Sequence, residues 1–176
     1  VINGNTEVLE KIKLARKHKK PVDGHAPGLT GEALRKYIAA GITTDHECSS
    51  FEEGLEKIAL GMKVIIREGS AGRNLDALKD LYNDYPEMVM LSSDDIHPEM
   101  LERRHLDMLV AGLIDQGYDA FSVIRSVTVN PVMHYGLDAG LLRPGDFADF
   151  IIVDDLKKMN VIETWINGEK VFDNGK

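Results

Sequence analysis

The sequence predicts an α/β fold built on parallel strands and followed by a small antiparallel β unit, and three observations carry that reading. Short apolar or β-branched segments at 21–25, 42–47, 63–67 and 88–94 alternate with helical periodicity, four times in succession. Each of the four carries a polar residue at or beside its end: His25, His46, Arg67 and Asp94. Helices, not hairpin turns, intervene between them, which implies parallel strands joined by right-handed crossovers. The spacings of 21, 21 and 27 residues are compact but compatible with a (β/α)8 barrel, whose units average about 31 residues. Four units make half of such a TIM-type barrel.

In chain order, Asn5-Thr6 can cap a helix with Val8, Leu9, Ile12 and Ala15 on one face and basic residues in its last turn. An extended segment from Pro21 ends in His25 and a turn at Pro27-Gly28. Thr30 caps a helix with Leu34, Tyr37 and Ile38 inward, and Gly41 stops it. Ser50 and Glu53 have the capping-box spacing, and their helix runs through Leu55 and Ile58 to Gly61. Residues 63–67 form a buried strand; Leu75, Leu78, Leu81 and Tyr82 mark the next helix. The apolar run 88–91 leads into Asp94-Asp95-Ile96-His97-Pro98, and Pro98 opens one long helix carrying Leu101, Leu106, Leu109, Leu113 and Ile114.

Beyond it the character changes. Asp119 caps a helix through Phe121, Ile124 and Val127, and Asn130-Pro131 caps another that Gly136 ends. Arg143-Pro144-Gly145-Asp146 is a turn, and 148–153 is a strand. Asn167-Gly168 between two alternating segments is the signal of a type I′ hairpin. The boundary between the two parts falls at 136/137.

The chain of 176 residues is 43% hydrophobic and 28% charged, an ordinary globular composition. A net charge of −8 argues against a nucleic-acid surface. No apolar run has the length of a membrane span. The single cysteine, Cys48, excludes an intramolecular disulfide framework and fits a reducing, cytoplasmic setting. Cys48 itself reads as a packed small residue.

Two histidines and an aspartate at the same end of neighbouring parallel strands converge on one point. Imidazole nitrogen and carboxylate oxygen suit Zn²⁺, Mn²⁺ or Fe²⁺. A metal so held brings the pKa of a bound water to about 7, and a rim carboxylate can carry its proton. Each residue also has a plainer reading. A lone histidine is more often surface or packed than a ligand, and Asp95 or His97 before Pro98 suffices as a cap. Glu47 is either a proton-transfer group or partner of the substrate, or a helix-start acid. Arg67 and Glu68 read by themselves as an ion pair at a strand end.

The strings Asp23-Gly24-His25-Ala26-Pro27-Gly28, Thr44-Asp45-His46-Glu47, Arg67-Glu68-Gly69-Ser70-Ala71 and Ser93-Asp94-Asp95-Ile96-His97-Pro98 resemble consecutive strand-end motifs of the adenine deaminase family, within the amidohydrolase superfamily. Residues 130–137 and 143–149 resemble that superfamily's return from barrel to β-sandwich. The resemblance implies barrel strands five to eight in 1–136 and part of the β-sandwich in 137–176. It implies His25 and His46 as metal ligands of strands five and six, and Asp94 as the ligand and proton shuttle of strand eight. Glu47 joins the catalytic set, and Arg67, Glu68, Ser70 and Asp95 become candidate contacts to the purine. The implied reaction converts adenine and water to hypoxanthine and ammonia, with a divalent metal (manganese, iron or zinc) that is binuclear in the complete enzyme. The family's first-strand His-x-His pair and fourth-strand carboxylate have no counterpart here. The expectation is therefore a C-terminal half, inactive alone, whose partners are the N-terminal half of the same protein and further copies in a homo-oligomer. Two alternatives share these strand ends: another cyclic amidohydrolase, opening a hydantoin or dihydropyrimidine ring, and a non-catalytic half-barrel module.

Overall fold

The structure is a computed structural model and describes residues 1–174. Its first sheet has three parallel strands, β1 (Thr44–Asp45), β2 (Lys63–Arg67) and β3 (Val89–Ser92), side by side in that order. Thr44 lies opposite Lys63, and Arg67 opposite Ser92. All three carboxyl ends therefore share one edge.

The strand expected at 21–25 does not form. The segment runs beside β1 and is tied to it where Thr43 N–H donates to Val22 O at 2.9 Å. Beyond Val22, side chains take the backbone groups a ladder would use. Tyr37 Oη lies 3.2 Å from the His25 nitrogen and 3.3 Å from its carbonyl, and Asp45 accepts the Ala26 N–H at 2.8 Å. Gly24 is pressed so closely on Tyr37 and Ile42 that a Cβ there would stand 2.5 Å from Tyr37 Oη.

Helices α1 (Thr6–Lys17), α2 (Gly31–Ala39) and α3 (Phe51–Ala59) lie where periodicity placed them. Asn5 caps α1 by accepting the Val8 N–H, but Thr30 makes no side-chain cap bond to α2. The capping box of α3 is half made. Ser50 accepts the Glu53 N–H at 3.3 Å, but the Glu53 carboxylate turns to Ser49, Gly28 and Lys57. The helix expected over 75–82 is two short ones, α4 (Leu75–Leu78) and α5 (Leu81–Asp84), joined where Tyr82 N–H tightens onto Lys79 O.

The long helix expected from Pro98 is also broken, into α6 (Pro98–Leu101) and α7 (Leu106–Asp115). Arg103 and Arg104 N–H both close onto Met100 O, while the Asp107 carboxylate accepts the His105 N–H and so starts a new helix. Helix α8 (Ala120–Val127) is capped by Asp119 as expected. Helix α9 (Val129–Tyr135) ends at Gly136, whose φ of 60° is left-handed. Asn130 does not cap it: it lies inside the helix, buried, with its amide donating to Pro86 O and Val89 O at 2.7 Å each.

The main core gathers Val64, Ile66, Val89 and Leu91 from the sheet with Leu78, Leu81, Tyr82, Val110, Leu113 and Val123 from the helices. Each such side chain contributes about 1.5–3 kcal/mol of hydrophobic stabilisation. A smaller cluster of Ile12, Leu34, Ile42 and Met62 lies under α1 and α2.

The second sheet is antiparallel, β4 (Phe150–Val153), β5 (Val161–Ile166) and β6 (Glu169–Asp173) in that order. Asn167 at φ 57° and Gly168 at φ 81° make the expected type I′ turn. The sheet joins the rest through Met159, buried in the main core, and through the Arg104 guanidinium donating to Lys158 O and Met159 O. No helix among the described residues is long and apolar enough to cross a membrane.

Candidate metal and proton-transfer site

The parallel sheet brings its polar strand ends to one edge. His46 follows the last residue of β1 and lines a cavity of about 230 Å³ together with Ile65, Met90, Ser92, Asp94 and Tyr135. His25 reaches the same place from its unpaired segment, so it is not at a strand end. The two imidazoles meet edge-on, with ring centroids 4.3 Å apart. His25 Nδ1 is 3.3 Å from Glu47 Oε2. The donor atoms of His25, His46 and Glu47 all lie within 4.8 Å of one another. Two imidazoles and one carboxylate at that spacing fit a divalent zinc, manganese or iron ion.

Asp94 is held differently. Because Arg67 stands opposite Ser92, its guanidinium reaches the residue two positions further on, and Nη1 lies 2.5 Å from Asp94 Oδ2. Nη2 is 3.6 Å from Glu47 Oε1, so Arg67 bridges the two carboxylates. Among the described residues its Nε is buried without a partner, and Gly72 lies flush against the guanidinium, where a Cβ would stand 2.7 Å from Cζ. Asp94 adopts φ 46°, a left-handed conformation that costs a non-glycine residue about 1 kcal/mol. Asp94 thus shares the cavity wall with His46 and is linked to Glu47 through Arg67.

The remaining predicted contacts do not line that cavity. Asp95 accepts the N–H groups of Ala71 at 3.1 Å and Gly72 at 3.4 Å. Desolvation pulls its carboxyl upward, but those N–H donors outweigh it and hold the group below the usual range. Ser70 Oγ accepts the His97 N–H at 2.8 Å and points its own proton at Met100 Sδ. Glu68, raised by burial, faces Arg73 at 3.7 Å and lines a second cavity of about 240 Å³ with Ser93, Met100 and His105.

Several supporting residues escape the sequence reading. Asn74 accepts the Arg67 N–H at 2.8 Å and donates to His46 O and Cys48 O, linking the ends of β1 and β2. Lys57, wholly buried, donates to Asp45 and Glu53 at 2.9 and 2.6 Å. Burial alone would lower Lys57 and raise Asp45. Their mutual hydrogen bond, with Glu53 on one side and the Ala26 N–H on the other, reverses both shifts. One signal was legible, the i,i+4 spacing of Glu53 and Lys57, but it does not say which side of the helix is buried. Asp45, Cys48 and Glu53 also cluster closely enough to suggest a metal, yet the Lys57 ammonium already sits among them. Cys48 is packed as expected, its thiol pushed far up by burial.

The model of the amidohydrolase family matches residues 1–171 of this chain. The adenine deaminase of Methanosarcina mazei is 54% identical over 171 residues, covering 97% of this chain and 31% of the relative. Those of Salinibacter ruber and a Sulfurovum species are 53% and 56% identical, each with 32% of its length covered. The chain therefore spans about a third of the length of these curated relatives. Among solved structures, a β-aspartyl dipeptidase from Fervidobacterium islandicum AW-1 superposes with a TM-score of 0.75 at 19% identity, over 99% of this chain and 54% of that one. An N-acetyl-D-glucosamine-6-phosphate deacetylase from Mycobacterium smegmatis does so at 0.73 and 18%, over 96% and 53%. At those identities the likeness concerns the fold alone. With its paired histidines beside acidic strand ends and a family match over nearly its whole length, the chain belongs to the amidohydrolase family.

Proposed function

We propose that this chain is part of an adenine deaminase, supplying barrel strands six to eight, the segment that carries the fifth-position histidine, and a portion of the β-sandwich. The observation that carries the reading is the edge-on pair His25 and His46, with Glu47 beside them and Asp94 on the same cavity wall. The high identity of this stretch to curated adenine deaminases supports adenine as the substrate.

His25, His46 and Glu47 would hold a divalent metal, with Asp94 as a further candidate. When bound, the metal supplies Lewis acidity that brings deprotonation of a water into the neutral range. This chain's own carboxylates then handle the protons. Asp94 takes one from the water attacking the amino-bearing ring carbon and delivers it to the exocyclic nitrogen, which leaves as ammonia while the oxygen stays in hypoxanthine. Arg67 holds Asp94 Oδ2 and steers the carboxylate towards the cavity that His46 also lines. Arg67, Glu68, Ser70 and Asp95 remain candidates for the purine contacts.

Ammonia release from adenine by the full-length parent tests this, with the isolated chain assayed beside it. The parent is expected to turn over and the isolated chain to be inactive, because the longer protein supplies the remaining ligands. A parent that ignores adenine but opens dihydropyrimidine or hydantoin rings would overturn the substrate assignment.

A further inference from the structure

We infer that Lys57 is a positioning residue for the two histidines, fixing the unpaired segment that carries His25 against the strand that carries His46. This rests on the metal reading above. Helix α3 puts Glu53 and Lys57 on one face, and Lys57 Nζ spends its whole donor capacity of three on Ala26 O at 2.6 Å, Asp45 Oδ2 at 2.9 Å and Glu53 Oε1 at 2.6 Å. Ala26 directly follows His25, and Asp45 directly precedes His46. Asp45 Oδ1 also accepts the Ala26 N–H at 2.8 Å, so both backbone groups of Ala26 are held by this one network. Glu53 extends the grip to the Gly28 N–H at 2.7 Å.

Two considerations make this a positioning device. The His25 segment has no strand ladder, and the His25 side chain is 69% exposed, so packing does not place it. A buried ion-pair network is also a poor route to stability alone, since apolar side chains of similar volume serve as well or better. What apolar side chains would not supply is a fixed offset between Ala26 and Asp45, and through them between the two imidazoles.

The test uses the full-length protein, stripped of metal and titrated with Co²⁺, read by visible absorption and by bound metal per chain. Lys57→Met is expected to bind Co²⁺ about 10- to 100-fold more weakly, the range for loss of an outer-shell support, with an altered ligand-field spectrum. His25→Ala and His46→Ala are the controls. If they bind as tightly as the unsubstituted protein, the metal reading itself fails. If they lose Co²⁺ while Lys57→Met keeps the original affinity and spectrum, the metal reading stands and the positioning role is overturned, even if the variant melts earlier. Should Lys57→Met fail to fold, Glu53→Gln decides. It keeps the Lys57–Asp45 bond and is expected to weaken Co²⁺ binding several-fold, and unchanged binding there overturns the inference.

Discussion

Two basic side chains in this molecule each hold a pair of carboxylates, and the difference between them separates scaffold from chemistry. Lys57 is 0% exposed, its three protons are all spent, and both its carboxylates accept backbone N–H groups as well. Arg67 is 20% exposed, makes one short bond to Asp94 and one looser contact to Glu47, and leaves Nε without a partner among the described residues. The first cluster is closed and saturated. The second has spare capacity and opens on a cavity, which is what a group that must exchange protons or meet a substrate requires. Ion pairs of the same sign pattern thus differ in character according to how completely their hydrogen bonds are used.

The largest expected effect lies in the open cluster. In the full-length protein, Asp94→Asn should lower kcat by about 10²- to 10⁴-fold, the usual contribution of a positioned acid–base group. Asp95→Asn should cost far less, because its carboxylate is engaged with the loop N–H groups of Ala71 and Gly72. Steady-state kinetics with the order reversed would move the proton carrier to Asp95 and break the contrast.

Stability should rank the other way. Lys57→Met leaves Asp45 and Glu53 buried without their cation, a loss of about 3–5 kcal/mol. Arg67→Met, whose carboxylates reach water, should cost no more than about 1 kcal/mol. Urea denaturation of both variants checks this, and equal losses would mean that the Arg67 cluster is structural too.

The closed cluster also has a pH signature. Asp45 and Glu53 lie below their ordinary values, so their contribution is present above about pH 4 and is lost as pH falls through the folded values. Lys57 lies above its ordinary value, so its contribution is complete below about pH 10 and lost only beyond it. The Tm difference between the unsubstituted protein and Glu53→Gln should therefore stay flat from about pH 5 to about pH 9 and shrink below about pH 4. A difference that grows on acidification would contradict an ionised Glu53.

The smallest effect calibrates the others. Gly168→Ala meets no atom closer than 3.9 Å, so its cost is only the left-handed backbone, about 1 kcal/mol. It touches neither cluster, and Co²⁺ affinity should not move. A change in affinity would show that the second sheet communicates with the site.

What the sequence determined by itself was local. The hairpin at Asn167-Gly168 follows from two adjacent positive φ angles, and Asn5 and Asp119 cap helices by reaching an N–H three residues away. The alternation of strands with helices, and hence the polar edge bearing His46, Arg67 and Asp94, followed from hydrophobic periodicity. Tertiary structure decided what depends on distant partners. The segment before His25 gave up its ladder to Tyr37 and Asp45, 12 and 19 residues beyond the atoms they bond. Asn130 left its capping role for carbonyls 44 and 41 residues back, and Asp107 cut the long helix by capping one of its own. Lys57 became the centre of a buried network through Ala26, 31 residues away. Periodicity reports which face of an element is buried. It does not report which donor across the interior meets which acceptor, because a buried polar group takes whatever partner the packed chain brings within about 3 Å.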